Sequence, residues 1–293
     1  MLGMLKRRFK NAIFTFKSGN LAFTQPGKNF GEKTMAYWKA VAQCSIGIMH
    51  VQNNLPCQDF AKYEKLLENS ILVGAVADGA GSAKFSDIGS QTAVESAVDS
   101  LKVLVEKSET GYFYPQLPSE ELAKEWFTNL QNQVLEKFMQ ISQEGSYSCD
   151  DLACTLLVFI ATPDWMAAMQ TGDGFIVVRY PEGDYNLLFQ PDKGEYINET
   201  TFVTSKTAVD YMQVKVIEKQ LSFICVATDG LERVAHLKGW KPYRLFFQPL
   251  EDYLTNTKDP EQESEYLEQF LDSEQLNQRT SDDKTILLAQ LIK

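Results

Sequence analysis

The chain has 293 residues, a net charge of −11 and an ordinary hydrophobic share of 44%. That length suffices for one large domain or two small ones with a sizeable core. The acidic balance, with no long basic stripe, excludes nucleic acid as a main partner, and no run reaches the roughly 18 apolar residues of a membrane span.

The charge is unevenly placed. Residues 1–34 carry Lys6, Arg7, Arg8, Lys10, Lys17, Lys28 and Lys33 against Glu32, a local +6 that leaves −17 for the rest. Residues 1–35 therefore read as a basic N-terminal extension. Ala12-Ile13-Phe14-Thr15-Phe16 is too short and interrupted for a signal-peptide core. An electrostatic anchor on acidic lipid and a disordered extension are the two readings open to it, and the second is the simpler. Five cysteines, odd in number and without a CxxC pair, read as reduced thiols. With no export signal they point to the cytoplasm.

After the extension, residues 36–50 read as a first strand region, closed by the turn cluster Asn53-Asn54-Leu55-Pro56. A nearly all-apolar strand runs from Ser70 to Ala77, and Gly79, Gly81 and Ser82 form the loop after it. Ala93, Val94, Ala97, Val98, Leu101, Leu104 and Val105 recur at three and four, which predicts an amphipathic helix. Tyr112 to Pro118 breaks it, and a second helix spans Glu120 to about Ser142. Strands follow over Leu152–Ala161, Trp165–Thr171, Phe175–Tyr180, Tyr185–Phe189, Val214–Glu218 and Leu221–Ala227. Trp240 to Phe270 has a less regular helical pattern, and Thr285 to Ile292 is a closing strand. Runs of strands separated by consecutive helices predict one α+β layered domain over residues 36–293, rather than alternating βαβ units.

Four acidic signatures sit at the ends of these apolar runs. Asp78, Asp173 and Asp229 each close one and are followed by glycine, and Asp282-Asp283 open another. Converging carboxylates repel unless a cation lies between them. Oxygen ligands of this kind suit magnesium or manganese. Asp59, in Pro56-Cys57-Gln58-Asp59-Phe60, adds a carboxylate before a further apolar segment. A single Asp-Gly also reads as a turn, and Asp173-Gly174 between two apolar runs reads as a β-hairpin. A hairpin there is compatible with a ligand.

The ordered set Gln58-Asp59, Asp78-Gly79-Ala80-Gly81, Cys154-Thr155-Leu156, Gly172-Asp173-Gly174, Ala227-Thr228-Asp229-Gly230 and Asp282-Asp283-Lys284-Thr285 resembles the type 2C metal-dependent Ser/Thr protein phosphatases. The likeness is to their bacterial branch and covers about residues 40–292. It implies a four-layer α-β-β-α sandwich, two central antiparallel sheets flanked by helices, with two Mn²⁺ or Mg²⁺ ions, or three. By resemblance, Asp78 bridges two metals with help from the Gly79 carbonyl, and Asp229 and Asp282 hold the first metal directly or through water. Asp59 belongs to the same shell, and Asp173 joins Asp229 at a third metal. Asp59, Asp78 and Asp229 are then the catalytic acids of a phosphoprotein phosphatase. A metal-bound hydroxide would attack phosphorus in line, with no protein nucleophile. The implied partner is a phosphorylated protein, opposing a Ser/Thr kinase.

The chain departs from that pattern in places. The family's phosphate-gripping Arg is missing, and His50 stands in its region. An imidazole cannot copy the bidentate grip of a guanidinium, so His50 is either a weaker phosphate ligand or an ordinary strand-end histidine. Gln58 stands where a Glu often ligates, and Asp283 replaces the usual Asn, which leaves open whether Asp282 or Asp283 is the ligand. These changes motivate the alternative of a pseudophosphatase that binds phosphoproteins without efficient turnover. Ala80 stands where many eukaryotic members have a His. His236 reads as a surface residue on a helix, Lys84 as an exposed loop lysine, and segment 181–220 as a partner-docking flap.

Overall fold

The structure, a computed structural model, describes residues 36–106, 116–190 and 200–293. The basic extension, most of the expected helix break and residues 191–199 of the expected flap lie outside the described residues. In chain order the strands are β1 (Tyr37–Ser45), β2 (Asp59–Leu66), β3 (Ile71–Asp78), β4 (Leu156–Ala161), β5 (Met166–Thr171) and β6 (Phe175–Arg179). They continue with β7 (Tyr185–Leu187), β8 (Gln213–Ile217), β9 (Phe223–Ala227), the ribbon of β10 (His236–Leu237) and β11 (Lys241–Pro242), and β12 (Lys284–Ile292). The helices are α1 (Ile48–Asn53), α2 (Ser86–Glu106), α3 (Glu120–Gly145), α4 (Ala208–Tyr211), α5 (Glu232–Ala235), α6 (Arg244–Asn256), α7 (Glu265–Leu271) and α8 (Glu274–Asn277).

Ten strands form two antiparallel sheets, ordered β1-β12-β9-β6-β7 and β2-β3-β4-β5-β8. Their near-continuous apolar sequence follows from burial on both faces, since successive side chains point to opposite sides. On β3, Ile71, Val73, Ala75 and Ala77 pack against α2 and α3, whereas Leu72 and Val76 point to the facing sheet. On β12, Leu287, Ala289 and Leu291 face inward, and Ile286 and Leu288 meet the opposite helical layer. Phe246, Phe247, Leu250 and Leu254 of α6, with Leu267 and Leu271 of α7, complete that layer. The result is the four-layer α-β-β-α sandwich. Each fully buried Leu, Ile, Val or Phe contributes about 1.5–3 kcal/mol by leaving water, so slippage of a central strand is strongly disfavoured.

Local chemistry fixes several boundaries. Ser119 caps α3, its Oγ accepting from Leu122 N at 3.2 Å. On α6, Glu251 is buried and takes a fork of bonds from Arg179 on β6, including Nε at 2.8 Å, plus the Tyr185 hydroxyl at 2.7 Å. This network joins the end of one sheet to the helix that covers it.

Three local expectations are corrected. The first strand ends at Ser45, and residues Ile48–Asn53 form helix α1, so His50 is helical and not at a strand end. Asp173-Gly174 is not a hairpin, because β5 and β6 belong to different sheets. The link crosses the end of the sandwich, and Gly172 adopts φ +108°, which favours glycine. His236 is not a surface helical residue. It opens β10, and its ring packs edge-on against Phe175, with Trp240 and Phe247 beyond.

Candidate active site

Antiparallel pairing gathers the acidic signatures at one end of the sandwich. Asp59 opens β2 and is the register partner of Asp78, which closes β3. Their carboxyls lie within hydrogen-bonding reach, and Asp78 has the same relation to Asp229. Asp229 follows β9, which pairs at Ala227 with Ile286 of β12 and with Phe175 of β6. Asp282 therefore arrives just before β12, and Asp173 just before β6, at the same end.

Threonines hold these ends together. Thr228 Oγ1 donates to Asp59 Oδ2 at 2.8 Å and accepts from Thr285 N at 3.1 Å, tying one sheet to the other. Thr155 exchanges two bonds with Asp78, its Oγ1 accepting from Asp78 N at 2.9 Å and its own N donating to Asp78 O at 2.8 Å. Gly79 N donates to Gln58 O at 3.0 Å. At Asp173, Oδ2 accepts from Thr200 Oγ1 at 2.7 Å.

The glycines after the aspartates serve close approach. A Cβ at Gly79 would stand 2.7 Å from Gln58 O, and one at Gly174 would stand 2.8 Å from Ala227 O. A Cβ at Gly230 would overlap Asp283 O outright. None of these three needs a left-handed backbone, so the expected sharp turn gives way to a need for space.

Electrostatics mark the cluster. Burial holds the Asp78 carboxyl well above the usual carboxylate range, and the charges of Asp59, Asp229, Asp282 and Asp173 push it further. Asp59 is pushed up to about 8, first by burial and then by the charge of Asp283. Asp229 is pushed up to about 7 by burial, then by Asp173 and Asp282. Among the described residues no three His, Cys, Asp or Glu side chains stand as a ready-made ligand cage. The acids are neighbours in pairs along Asp59, Asp78 and Asp229. Their oxygen-only chemistry fits a hard divalent cation, and the buried Gln58 Oε1, which has no hydrogen-bond partner, adds one more such donor.

The two aspartates before β12 separate cleanly. Asp283 is buried, and its carboxylate is committed to three donors, Gly47 N at 2.6 Å, Gln58 N at 2.6 Å and His50 Nδ1 at 2.8 Å. Asp282 is exposed and lines a cleft of about 510 Å³ together with Asp229. His50 is thus a partner of Asp283, with its Nδ1 already engaged. Lys84 is exposed, as expected, and lies over the Phe85 ring at 5.0 Å.

Sequence reasoning missed the clamp at Asp283, since nothing in Asp282-Asp283 says which of the two is buried. It also missed Arg233 and Arg279, which line the same cleft. Their nearness to Asp229 and Asp282 in the chain was the available signal. Lys284 is a further surprise, fully buried with Nζ 3.0 Å from Asn277 Oδ1, which steadies the wall that carries Arg279.

Known proteins share the family and the fold. The family model described as protein phosphatase 2C matches residues 46–272. Serine/threonine-protein phosphatase 3 of Escherichia coli (strain K12) is 31% identical over 258 residues, spanning 86% of this chain and 98% of that protein. Among solved structures, the serine/threonine phosphatase of S. agalactiae superposes with a TM-score of 0.58 at 17% identity, over 87% of this chain and 99% of its own. Stp1 of Staphylococcus aureus gives 0.54 at 15% identity, over 87% and 95%. The match to the family model over most of its length, with the identity to the E. coli protein, shows that the chain belongs to the protein phosphatase 2C family.

Proposed function

We propose that the chain hydrolyses phosphoserine and phosphothreonine in proteins, dependent on Mn²⁺ or Mg²⁺, with water rather than a side chain as nucleophile. The observation that carries this reading is the pairing of Asp59 with Asp78 at the end of the sandwich where Asp229 and Asp282 line a cleft. Asp59, Asp78, Asp229 and Asp282, with the Gly79 carbonyl, would hold two cations, and Asp173 with Asp229 a third. Bound there, such a cation supplies an acidified water and neutralises charge on phosphoryl oxygens.

The residues of the chain then have distinct tasks. The β2–β3 register sets the spacing of Asp59 and Asp78 before any ligand arrives. Thr228 orients Asp59 by donating to its Oδ2. Asp283 fixes the backbone at Gly47 and Gln58, so that the entry to β2 keeps its position. In this reading residues 36–293 are the catalytic unit, and Met35–Lys293 cluster as one compact unit. No helix among the described residues is long and apolar enough to cross a membrane.

The test is hydrolysis of p-nitrophenyl phosphate and a phosphothreonine peptide, with and without Mn²⁺, by wild type and Asp78→Asn. Turnover that requires Mn²⁺ and disappears in the variant is the expected result. Metal-independent turnover, or turnover unchanged in Asp78→Asn, would defeat the reading. A folded wild type that binds phosphopeptide without turning it over would support a pseudophosphatase instead.

A further inference from the structure

A phosphomonoester dianion arriving at this cleft needs a cationic grip, and the side chain standing nearest the family's Arg cannot give it in full. His50 has its Nδ1 on Asp283, Lys284 is buried against Asn277, and Lys84 lies over Phe85. Among the described residues that line the cleft, two carry a cation. Arg233 lies on α5, just after Asp229, and Arg279 lies three residues before Asp282. Both are exposed, and both line the 510 Å³ cleft that Asp229 and Asp282 also line. Among the described residues neither guanidinium is in an ion pair.

Their supports are firm although the side chains are exposed. Buried Leu231 and Ala235 flank Arg233 and anchor its turn in the core. Arg279 N donates to Leu276 O at 2.8 Å, and Ser281 O accepts from Met49 N at 3.1 Å, which fixes the loop between them. The two segments abut where Gly230 meets Asp283 O without room for a Cβ. Two guanidinium side chains on neighbouring segments therefore line one cleft and are available to an anion that enters it. A guanidinium binds phosphate oxygens in a bidentate way.

We propose that Arg233 and Arg279 form the phosphoryl-binding pair of this site, gripping the oxygens of the phosphate to be removed in place of the missing Arg. The assignment rests on the phosphatase reading only in taking this cleft as the place where phosphate sits. A bland alternative is that the arginines balance Asp229, Glu232 and Asp282 across the cleft. A second is that they hold an acidic residue flanking the phosphate.

The experiment titrates inorganic phosphate into the full chain in Mn²⁺ buffer by calorimetry, for wild type, Arg233→Ala, Arg279→Ala, the double variant and the double Arg→Lys variant. KM for a phosphothreonine peptide with neutral flanks is measured in parallel. Each Ala change should weaken phosphate binding about tenfold, the double change about 100-fold, and the Lys pair should recover part of the loss. The Lys pair also guards against misfolding, since it keeps charge and length.

Phosphate affinity unchanged in the double Ala variant overturns the proposal, as does a wild type that binds no phosphate. A KM that rises only for acid-flanked peptides, with phosphate affinity intact, assigns the arginines to the flank and overturns it too. If wild type binds phosphate through the pair but hydrolyses nothing, the anion site stands and the phosphatase reading falls. If wild type hydrolyses the peptide while the variants bind phosphate normally, the reverse holds.

Discussion

Gly79→Ala separates a requirement for space from a requirement for backbone freedom. The added Cβ would meet Gln58 O at 2.7 Å, Ser86 Cβ at 2.8 Å and Ser86 O at 2.8 Å. Two of these are backbone oxygens, which cannot swing aside, and ordinary contacts begin near about 3.4 Å. Gln58 O must therefore recede by roughly 0.7 Å (3.4 less 2.7), against the β2–β3 register on one side and the start of α2 on the other. Overpacking of this kind costs about 1–3 kcal/mol, which for a domain of this size lowers Tm by roughly 5 °C. The same shift separates Asp59 from Asp78 and moves the Gly79 carbonyl, so Mn²⁺ affinity and kcat/KM should each fall about tenfold, since displacements near 1 Å cost about 100-fold. Gly81→Ala is the control, because a Cβ there meets nothing within 4 Å. Scanning calorimetry and Mn²⁺ titration of both variants read the effect. A Gly79→Ala protein with wild-type Tm and Mn²⁺ affinity would refute the reasoning.

Three further outcomes follow from the same contacts. Glu251→Ala leaves the Arg179 guanidinium and the Tyr185 hydroxyl without their shared acceptor and should cost about 3 kcal/mol, read by urea denaturation, with Glu251→Gln milder. His236 has its pKa lowered by burial, so its contribution to stability is fully present above the ordinary histidine value of about 6.5 and is lost as pH falls through it. His236→Phe should flatten the decline of Tm between about pH 7 and 5, and an unchanged slope would assign that decline elsewhere. Asp283→Asn replaces one of two accepting oxygens with a donor that faces another donor, at a cost of about 2 kcal/mol. Combined with Gln58→Glu, which buries an extra charge beside Asp283, it should destabilise by about 1 kcal/mol less than the two singles added, and strict additivity would show the positions to be independent.

Much of the candidate site was conspicuous in the chain because its acids lie at the ends of strands buried on both faces. Such strands are continuous apolar runs, and an acid that interrupts one is conspicuous, as at Asp78 and Asp229. Partnership between strands is another matter. Six residues around Asp173-Gly174 carry the chemistry of a turn, but not the fact that β5 pairs with β8 and β6 with β9, both distant in sequence. Helix α1 escaped notice because it buries no residue and so shows no apolar stripe. Its position is held by the distant segment before β12, where the Asp283 carboxylate bonds to Gly47 N and His50 and Ser281 O accepts from Met49 N. Burial of one aspartate beside an exposed one is a tertiary fact with no local signature.

The exchange of Gln58 for an acid and of Asp283 for an amide belongs together physically. Relative to the pattern that the chain resembles, one negative charge has left the face that would hold cations, and one has appeared behind it. The two residues are in direct contact, Gln58 N donating to Asp283 Oδ2 at 2.6 Å. A buried carboxylate is costly unless its oxygens are satisfied, and Asp283 is satisfied by two backbone N–H groups and an imidazole, so it can act as a clamp. A Glu at position 58 would be a buried carboxylate next in the chain to Asp59 and bonded through its own backbone to Asp283, with no partner for its charge. The neutral Gln58 avoids that and keeps an unpartnered oxygen for a cation. His50 follows from the same change, because an imidazole can pair with the clamp where the family's Arg would have turned to phosphate. The three departures from the pattern then meet at Asp283, and on the proposed reading the phosphate grip falls to Arg233 and Arg279, which line the cleft with Asp229 and Asp282.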